Sequence, residues 1–194
     1  MPPNFESPAY WETRFQNETS FEWLIDSSTF LALIRPYINA VAQSSPILHL
    51  GSGTSDLHVH LYKAGYTNIT NLDYEPLALE RGKALEQAAL GVIKTSYVQA
   101  DVTDMDLGKK FSLAIDKSTA DAVSCGEEGA MKRMTENVRN HLVEGGVWVS
   151  MSFSEWRFEG IERWDVELVG KVPTEKKRET DPDIYMFCFL LRAK

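Results

Sequence analysis

Cysteine is scarce in this sequence: Cys125 and Cys188 are the only two among 194 residues, and they lie far apart. Their spacing supplies neither a CxxC metal pair nor a disulfide framework, so both read as reduced thiols in the core or near the surface. Histidine is nearly as rare, with four residues. His58 and His60 fall in an expected helix, where i and i+2 face different ways, and no metal site is expected. Long apolar runs are also missing, so no segment has the length that crosses a bilayer. The opening residues, MPPNFESPAYWE, carry neither a basic n-region nor an apolar stretch. No secretory signal is expected, and the cytoplasm is the default location, one that would hold equally for many nuclear proteins. Basic charge is in deficit, with 20 Lys and Arg against 28 Asp and Glu, a net charge of −8. That balance argues against direct nucleic-acid binding, which needs clustered Lys and Arg. It is compatible with a basic protein substrate or a neutral small molecule.

What remains is an ordinary globular composition, 43% hydrophobic and 25% charged, in a length that suits one domain. No repeat, low-complexity tract or linker divides residues 1–194. The polar stretch 173–182 (PTEKKRETDP) reads as one exposed connection. Ile47-Leu48-His49-Leu50 is a short apolar run entering Gly51-Ser52-Gly53, the pattern of a buried strand and a tight turn. A helix is expected over 55–64 with Gly65 as its stop, then a strand over 68–73. Pro76 suits the first turn of a helix running toward Leu90. Further strands are expected over 96–101 and 111–116. Ser124 to Glu127 resembles a capping box opening a helix striped by Met131, Met134, Val138 and Leu142, ended by Gly145-Gly146. Strands follow at 147–152, 164–172 and 184–191. Upstream, Asp26-Ser27-Ser28 starts a helix carrying Phe30, Leu33, Ile34, Tyr37 and Ile38, a lid or scaffold whose length Pro36 clouds.

Strands alternating with helices imply an α/β, Rossmann-like fold: a mostly parallel sheet with helices on both faces. The last two strands, with no helix between them, should add an antiparallel hairpin. The organisation divides into an N-terminal segment and helix over 1–45, a core over 46–152 and a hairpin region over 153–194.

Ligands of open α/β sheets bind at the carboxyl ends of the strands, and four features converge there. Gly51, Ser52 and Gly53 permit a sharp turn and a close ligand approach, beside helix N–H groups. Asp56 stands where a dinucleotide fingerprint would have glycine, which lowers a nicotinamide reading. Asp73, about 20 residues on, suits the ribose hydroxyls of an adenosine, or else the positive end of a helix. Tyr74 beside it is placed to lie against adenine. Asp101-Val102 either meets the adenine amino group or closes a strand end. Asp116-Lys117-Ser118-Thr119-Ala120-Asp121-Ala122 releases polar groups beside the expected reacting centre. There Asp116 would position a methionine part or the substrate, while Lys117 is either part of the site or simply solvated.

Together these segments resemble one family: the methyltransferase-like enzymes that methylate lysines of translation elongation factor 1-alpha, including the methyltransferase domain related to the endothelin-converting enzyme 2 locus. Tyr10-Trp11-Glu12-Thr13-Arg14-Phe15 and Phe21-Glu22-Trp23 match its YW-x-x-R-[FY] and [FY]-[DE]-W opening. Leu48 to Ser55 matches its GCGNS-like loop, Asn71-Leu72-Asp73-Tyr74 its ribose motif, and 116–122 its DKGTLDA. The departures are Ser52 for Cys, Thr54 for Asn, Ser118 for Gly and Ala120 for Leu, the last two beside the expected substrate entrance. The resemblance implies a class I fold with a seven-stranded sheet, S-adenosyl-L-methionine as cofactor, and a protein lysine as acceptor. It also implies that Trp11 and Arg14 fold over the cofactor, with Arg14 near its carboxylate. The residues themselves leave open whether Trp11 and Trp23 cover a ligand or pin the leader to the core.

Methyl transfer requires alignment and exclusion of water rather than a catalytic triad. No general base is assigned; Asp116 and Asp121 are candidates by location. Three readings follow: a protein-lysine methyltransferase, a small-molecule N-, O- or S-methyltransferase, and a non-catalytic cofactor-binding partner subunit. A pocket enclosed beneath the N-terminal segment would favour the small molecule over a protein acceptor.

Overall fold

A computed structural model describes residues 3–194. In chain order the elements are α1 Pro8–Asn17, α2 Ser27–Ile38, β1 Ile47–Leu50, α3 Leu57–Lys63, β2 Ile69–Asp73, α4 Pro76–Leu90 and β3 Ser96–Gln99. They continue with β4 Phe111–Lys117, α5 Thr119–Val123, α6 Ala130–Asn140, β5 Leu142–Ser152, β6 Trp164–Pro173 and β7 Tyr185–Ala193. The strands form one seven-stranded sheet in the order β3-β2-β1-β4-β5-β7-β6. Strands β1 to β5 pair in parallel, and β7 runs antiparallel to both β5 and β6. The expected doubly covered sheet with a C-terminal antiparallel pair is thus present.

Alternation along the strands builds two cores. Leu113, Ile115, Val149, Met151, Cys188 and Leu190 point to one face, where they meet Phe30, Ile34 and Ile38 of α2 and Leu57 and Leu61 of α3. Ala114, Trp148, Phe187, Phe189 and Leu191 point to the other, against Met134 and Val138 of α6.

Local chemistry explains the helix ends. Asp26 caps α2 by accepting the Thr29 N–H at 2.9 Å, and the helix passes Pro36 to finish two residues later, within its last turn. Pro76 opens α4, and Gly91 closes it in the left-handed region at φ 75°.

Two expectations are corrected. Ser124 does not open α6. It terminates α5, its hydroxyl donating to the Asp121 carbonyl at 2.6 Å, and Gly129 at φ 88° begins α6 instead. Glu127 turns outward to Arg133. Gly145-Gly146 does not stop a helix either, because α6 already ends at Asn140 and Leu142 belongs to β5. Leu142 pairs with Phe111 and Val147 with Leu113, so the residues between bulge out of the ladder, with Gly145 at φ 73° turning the bulge.

The buried indole of Trp148 joins the sheet to the site. Its ring meets Phe158 edge-on at 5.1 Å and Trp164 at 5.7 Å, and Nε1 donates to Asp116 Oδ2 at 2.8 Å. Burial pushes the Asp116 carboxyl up to about 6. The native state therefore keeps a proton that the unfolded chain has released, a stabilisation complete below about pH 4 and gone once the pH passes about 6. Trp148→Phe strands one carboxylate oxygen, with an expected loss of about 1–3 kcal/mol at pH 7. Urea unfolding should show that deficit, smaller at pH 5 where the carboxyl is protonated.

Candidate active site

At the carboxyl ends of β1, β2 and β4 lies a cavity of about 990 Å³. Its floor is the loop after β1. Gly51 and Gly53 both hold left-handed backbone, at φ 54° and 51°. A β-carbon on Gly51 would collide with the Thr119 side chain, so α5 packs where only glycine fits. The Gly53 N–H donates to Asp73 Oδ2 at 2.8 Å, and the Glu75 N–H to Asp73 Oδ1 at 3.0 Å. Burial raises the Asp73 carboxyl to about 6 even against those two donors. Ser52, Tyr74, Asp101 and Val102 also line the cavity. Asp101 uses Oδ1 to accept from the Thr103 N–H and hydroxyl, at 2.7 and 2.8 Å.

The N-terminal segment supplies the aromatic lining. Phe5, Trp11, Phe15, Phe21 and Trp23 all border the cavity; Phe15 comes within 3.9 Å of a β-carbon built on Gly53, and the Phe21 N–H donates to the Thr54 carbonyl at 3.3 Å. Two carboxylates fasten this segment. Glu18 accepts from the Thr54 hydroxyl at 2.6 Å. Glu22 accepts from the Ser55 hydroxyl at 3.0 Å, from the Asp56 N–H at 2.8 Å and from Lys117 Nζ. Lys117, almost wholly buried, also donates to the Ile25 carbonyl at 2.8 Å. Burial pulls its ammonium below the usual lysine range, and the charge of Glu22 works against that pull.

Several expected site residues are placed otherwise. Arg14 is not in the cavity wall: its Nε donates to Glu18 at 2.7 Å, and its guanidinium lies over Phe21 and Trp23, 4.8 and 4.6 Å from the ring centres. Asp116 lies beneath the cavity, held by Trp148 and by the Ala120 N–H at 3.2 Å. Asp121 does line the cavity, but its oxygens accept from the Ser118 hydroxyl, the Phe153 N–H, Arg157 Nε and Ser152. Neither candidate base is thus a free carboxylate facing the cavity. The N–H groups at the start of α3 are also engaged, Asp56 by Glu22 and Leu57 by the Ser55 hydroxyl. Ser118 stands at φ 69°, which accounts for the glycine of the resembling motif.

The residues that sequence reasoning missed are Glu18, Glu22, His49 and Arg157. Glu22 had a signal, the Phe21-Glu22-Trp23 motif, without an assigned partner. No group of His, Cys, Asp and Glu suited to a metal occurs among the described residues, and no helix there is long and apolar enough to cross a membrane.

The strand order, the antiparallel C-terminal pair and a glycine-floored cavity with an acidic residue ending β2 define a class I S-adenosylmethionine-dependent methyltransferase. Solved structures share the fold: the N-methyltransferase NodS from Bradyrhizobium japonicum, in complex with S-adenosyl-L-homocysteine, superposes with a TM-score of 0.71 at 16% identity over 96% of this chain and 98% of that one. An S-adenosylmethionine-dependent methyltransferase from Clostridium acetobutylicum gives 0.66 at 13% identity, covering 88% and 93%. Methyltransferase srdJ of Neurospora crassa is 47% identical over 199 residues, 99% of this chain and 85% of its own length. The chain belongs to this methyltransferase family. It is also 30% identical over 158 residues to the human eEF1A lysine and N-terminal methyltransferase, matching 78% of this chain but only 22% of that protein. No family model matches the chain.

Glu22→Gln should expose how the segment is held. It leaves the Lys117 ammonium buried without its counter-charge, an expected loss of roughly 3 kcal/mol in urea unfolding. Lys117→Met in the same background should recover part of that loss. Trypsin should cut after Arg14 faster in the single variant than in the wild type.

Proposed function

We propose that this enzyme transfers the methyl group of S-adenosylmethionine to a nucleophilic nitrogen, oxygen or sulfur of a small, largely apolar acceptor. The observation that carries the reading is the cavity lying beneath the N-terminal segment. At about 990 Å³ it is at the upper end of small-molecule sites. It continues from the glycine floor to a second wall that includes Val123, Cys125, Ala130 and Phe153.

The residues present fit the cofactor. Gly53 leaves open the space that a side chain would narrow, with Phe15 facing it. The Asp73 oxygens, each holding one backbone N–H, keep lone pairs for ribose hydroxyls. On this reading Asp101 and Tyr74, both in the cavity lining, would meet the adenine, with the buried Val102 beside them. Bound S-adenosylmethionine supplies an activated methyl carbon. The chain contributes alignment by its fixed backbone and exclusion of water by Phe5, Trp11, Phe15 and Trp23.

A protein lysine is the second reading, favoured by the likeness to the eEF1A enzymes. Incubating the protein with methyl-labelled cofactor and a cell extract separates the two. Label in a discrete low-mass product supports the small acceptor; label confined to one protein band overturns it in favour of lysine.

The cofactor contacts carry their own test. Ribose hydroxyls donate to the ionised Asp73, whose carboxyl is raised to about 6. Calorimetric affinity for S-adenosylhomocysteine should therefore be level above that pH and fall about tenfold per unit below it. Asp73→Asn should bind more weakly at pH 7 by at least about tenfold and lose this pH dependence.

A further inference from the structure

The segment that leaves β5 reaches the cavity one strand beyond the groups assigned to the cofactor. Asp101 comes after β3, Asp73 ends β2 and Gly51 follows β1, and in the sheet β4 and then β5 lie next in line. On the proposed function above, on which this inference rests, the acceptor then takes the side of the cavity bordered by that segment. Phe153, Ser154 and Arg157 line it there.

Arg157 is tied down at one end only. Its Nε donates to Asp121 Oδ1 at 2.9 Å and lies 3.4 Å from the Ser152 hydroxyl. Its backbone N–H donates to the Ser154 carbonyl at 3.3 Å, which folds the segment into a turn. Asp121 is itself held firmly. Its Oδ2 accepts from the Phe153 N–H at 2.9 Å and from the Ser118 hydroxyl at 3.0 Å, and its Oδ1 also accepts from Ser152. All four acceptor positions of that carboxylate are therefore taken.

The guanidinium keeps most of its donors. It has five N–H groups, of which Nε carries one. The four on Nη1 and Nη2 have no partner among the described residues, and neither nitrogen is sealed in the interior. The side chain is 19% exposed, within a wall of the cavity. The other cations of the lining are used differently: Lys117 is bound to Glu22, and Arg133 pairs with Glu127 out in solvent. A guanidinium clamped through Nε presents Nη1 and Nη2 as a parallel pair, the spacing that fits the two oxygens of a carboxylate.

We propose that Arg157 sets the acceptor specificity: Nη1 and Nη2 hold a carboxylate on an otherwise apolar acceptor, and Asp121 is the positioning residue that aims the guanidinium. The same arrangement opposes a lysine acceptor. Its ammonium would meet a cation beside a carboxylate with no acceptor position left.

The test uses protein saturated with S-adenosylhomocysteine and two probes of one shape, 2-naphthoate and 2-naphthamide. Both are titrated by calorimetry near neutral pH, where the acid is ionised. The wild type should prefer the naphthoate by about tenfold. Arg157→Gln should cut that preference below about twofold by weakening the naphthoate alone. Arg157→Lys, which keeps the charge and loses the fork, should retain a preference of about threefold. Affinity for S-adenosylhomocysteine should change by less than about twofold in either variant. The assignment is overturned by a wild type without preference, by equal weakening of both probes in Arg157→Gln, or by a matching loss of S-adenosylhomocysteine. Equal weakening marks a mere brace for Asp121, and the loss of S-adenosylhomocysteine marks an arginine that belongs to the cofactor. Should Arg157→Gln not fold, the wild-type preference and Arg157→Lys decide by the same criteria. A wild type that binds S-adenosylhomocysteine and neither naphthalene removes the small-acceptor reading, and this inference with it. One that binds no S-adenosylhomocysteine removes the cofactor reading instead.

Discussion

The carboxylate of Glu22 joins three parts of the molecule that are distant in sequence. It reaches the loop after β1 through Ser55 and Asp56, and the end of β4 through Lys117, from a segment that precedes the sheet altogether. An ammonium as buried as that of Lys117 is tolerable only with a counter-charge in contact. The glycine loop, for its part, presents a hydroxyl and an N–H that need acceptors. One residue answers both demands, and in doing so it lays the aromatic segment across the mouth of the strands. Glu18 repeats the arrangement on a smaller scale, gripping Thr54 with one oxygen and Arg14 with the other.

Beneath this covering the site is stiff. Glu86, with no exposed surface, accepts from the Lys94 and Thr95 N–H groups and from the hydroxyls of Thr95 and Tyr97. These bonds hold its carboxyl below the usual range although burial alone would raise it. The polar row then passes through Thr95 and Asn71 of β2 to His49 of β1. A hydrogen-bonded row of this kind helps set side-chain direction alongside packing. Asp116 and Asp121 belong to the same economy of support: each is spent on neighbours, Asp116 on Trp148 and Ala120, Asp121 on the turn that carries Ser118 and on Arg157. Neither carboxylate is left free to face the cavity.

Much of the scaffold was legible in the chain because its signals are local. Ile47 to Leu50 followed by Gly51-Ser52-Gly53, Pro76 at a helix start, and two strand patterns without a helix between them each have one physical outcome. Trp11 and Trp23 were visible as a choice between two uses; in the fold they line the cavity and pack against each other and against Phe5. What escaped depends on contacts that sequence spacing does not encode. Ser124 and Glu127 carry the residues of a capping box, yet Ser124 is drawn into the end of α5 and Gly129 takes the turn. Gly145-Gly146 reads as a helix stop, whereas the register of β4 against β5 demands a bulge there. Arg14 looked available to an anion, and Glu18 together with the rings of Phe21 and Trp23 engages it. His49 read only as one member of a buried strand, because its hydrogen bond to Asn71 is made with the strand beside it.

The order of the last two strands has a consequence for how the molecule is made. β7 lies between β5 and β6, although it is synthesised after both. While a chain grows from the ribosome, β6 emerges with no strand to pair with, and β5 waits with an open hydrogen-bonding edge beside Trp148, Val149 and Met151. Only when Met186 to Leu191 arrive can that edge close and both cores be completed in a single step. Until those residues are made, the apolar faces of the half-built sheet lack their cover, the kind of exposed surface and open strand edge that invites aggregation.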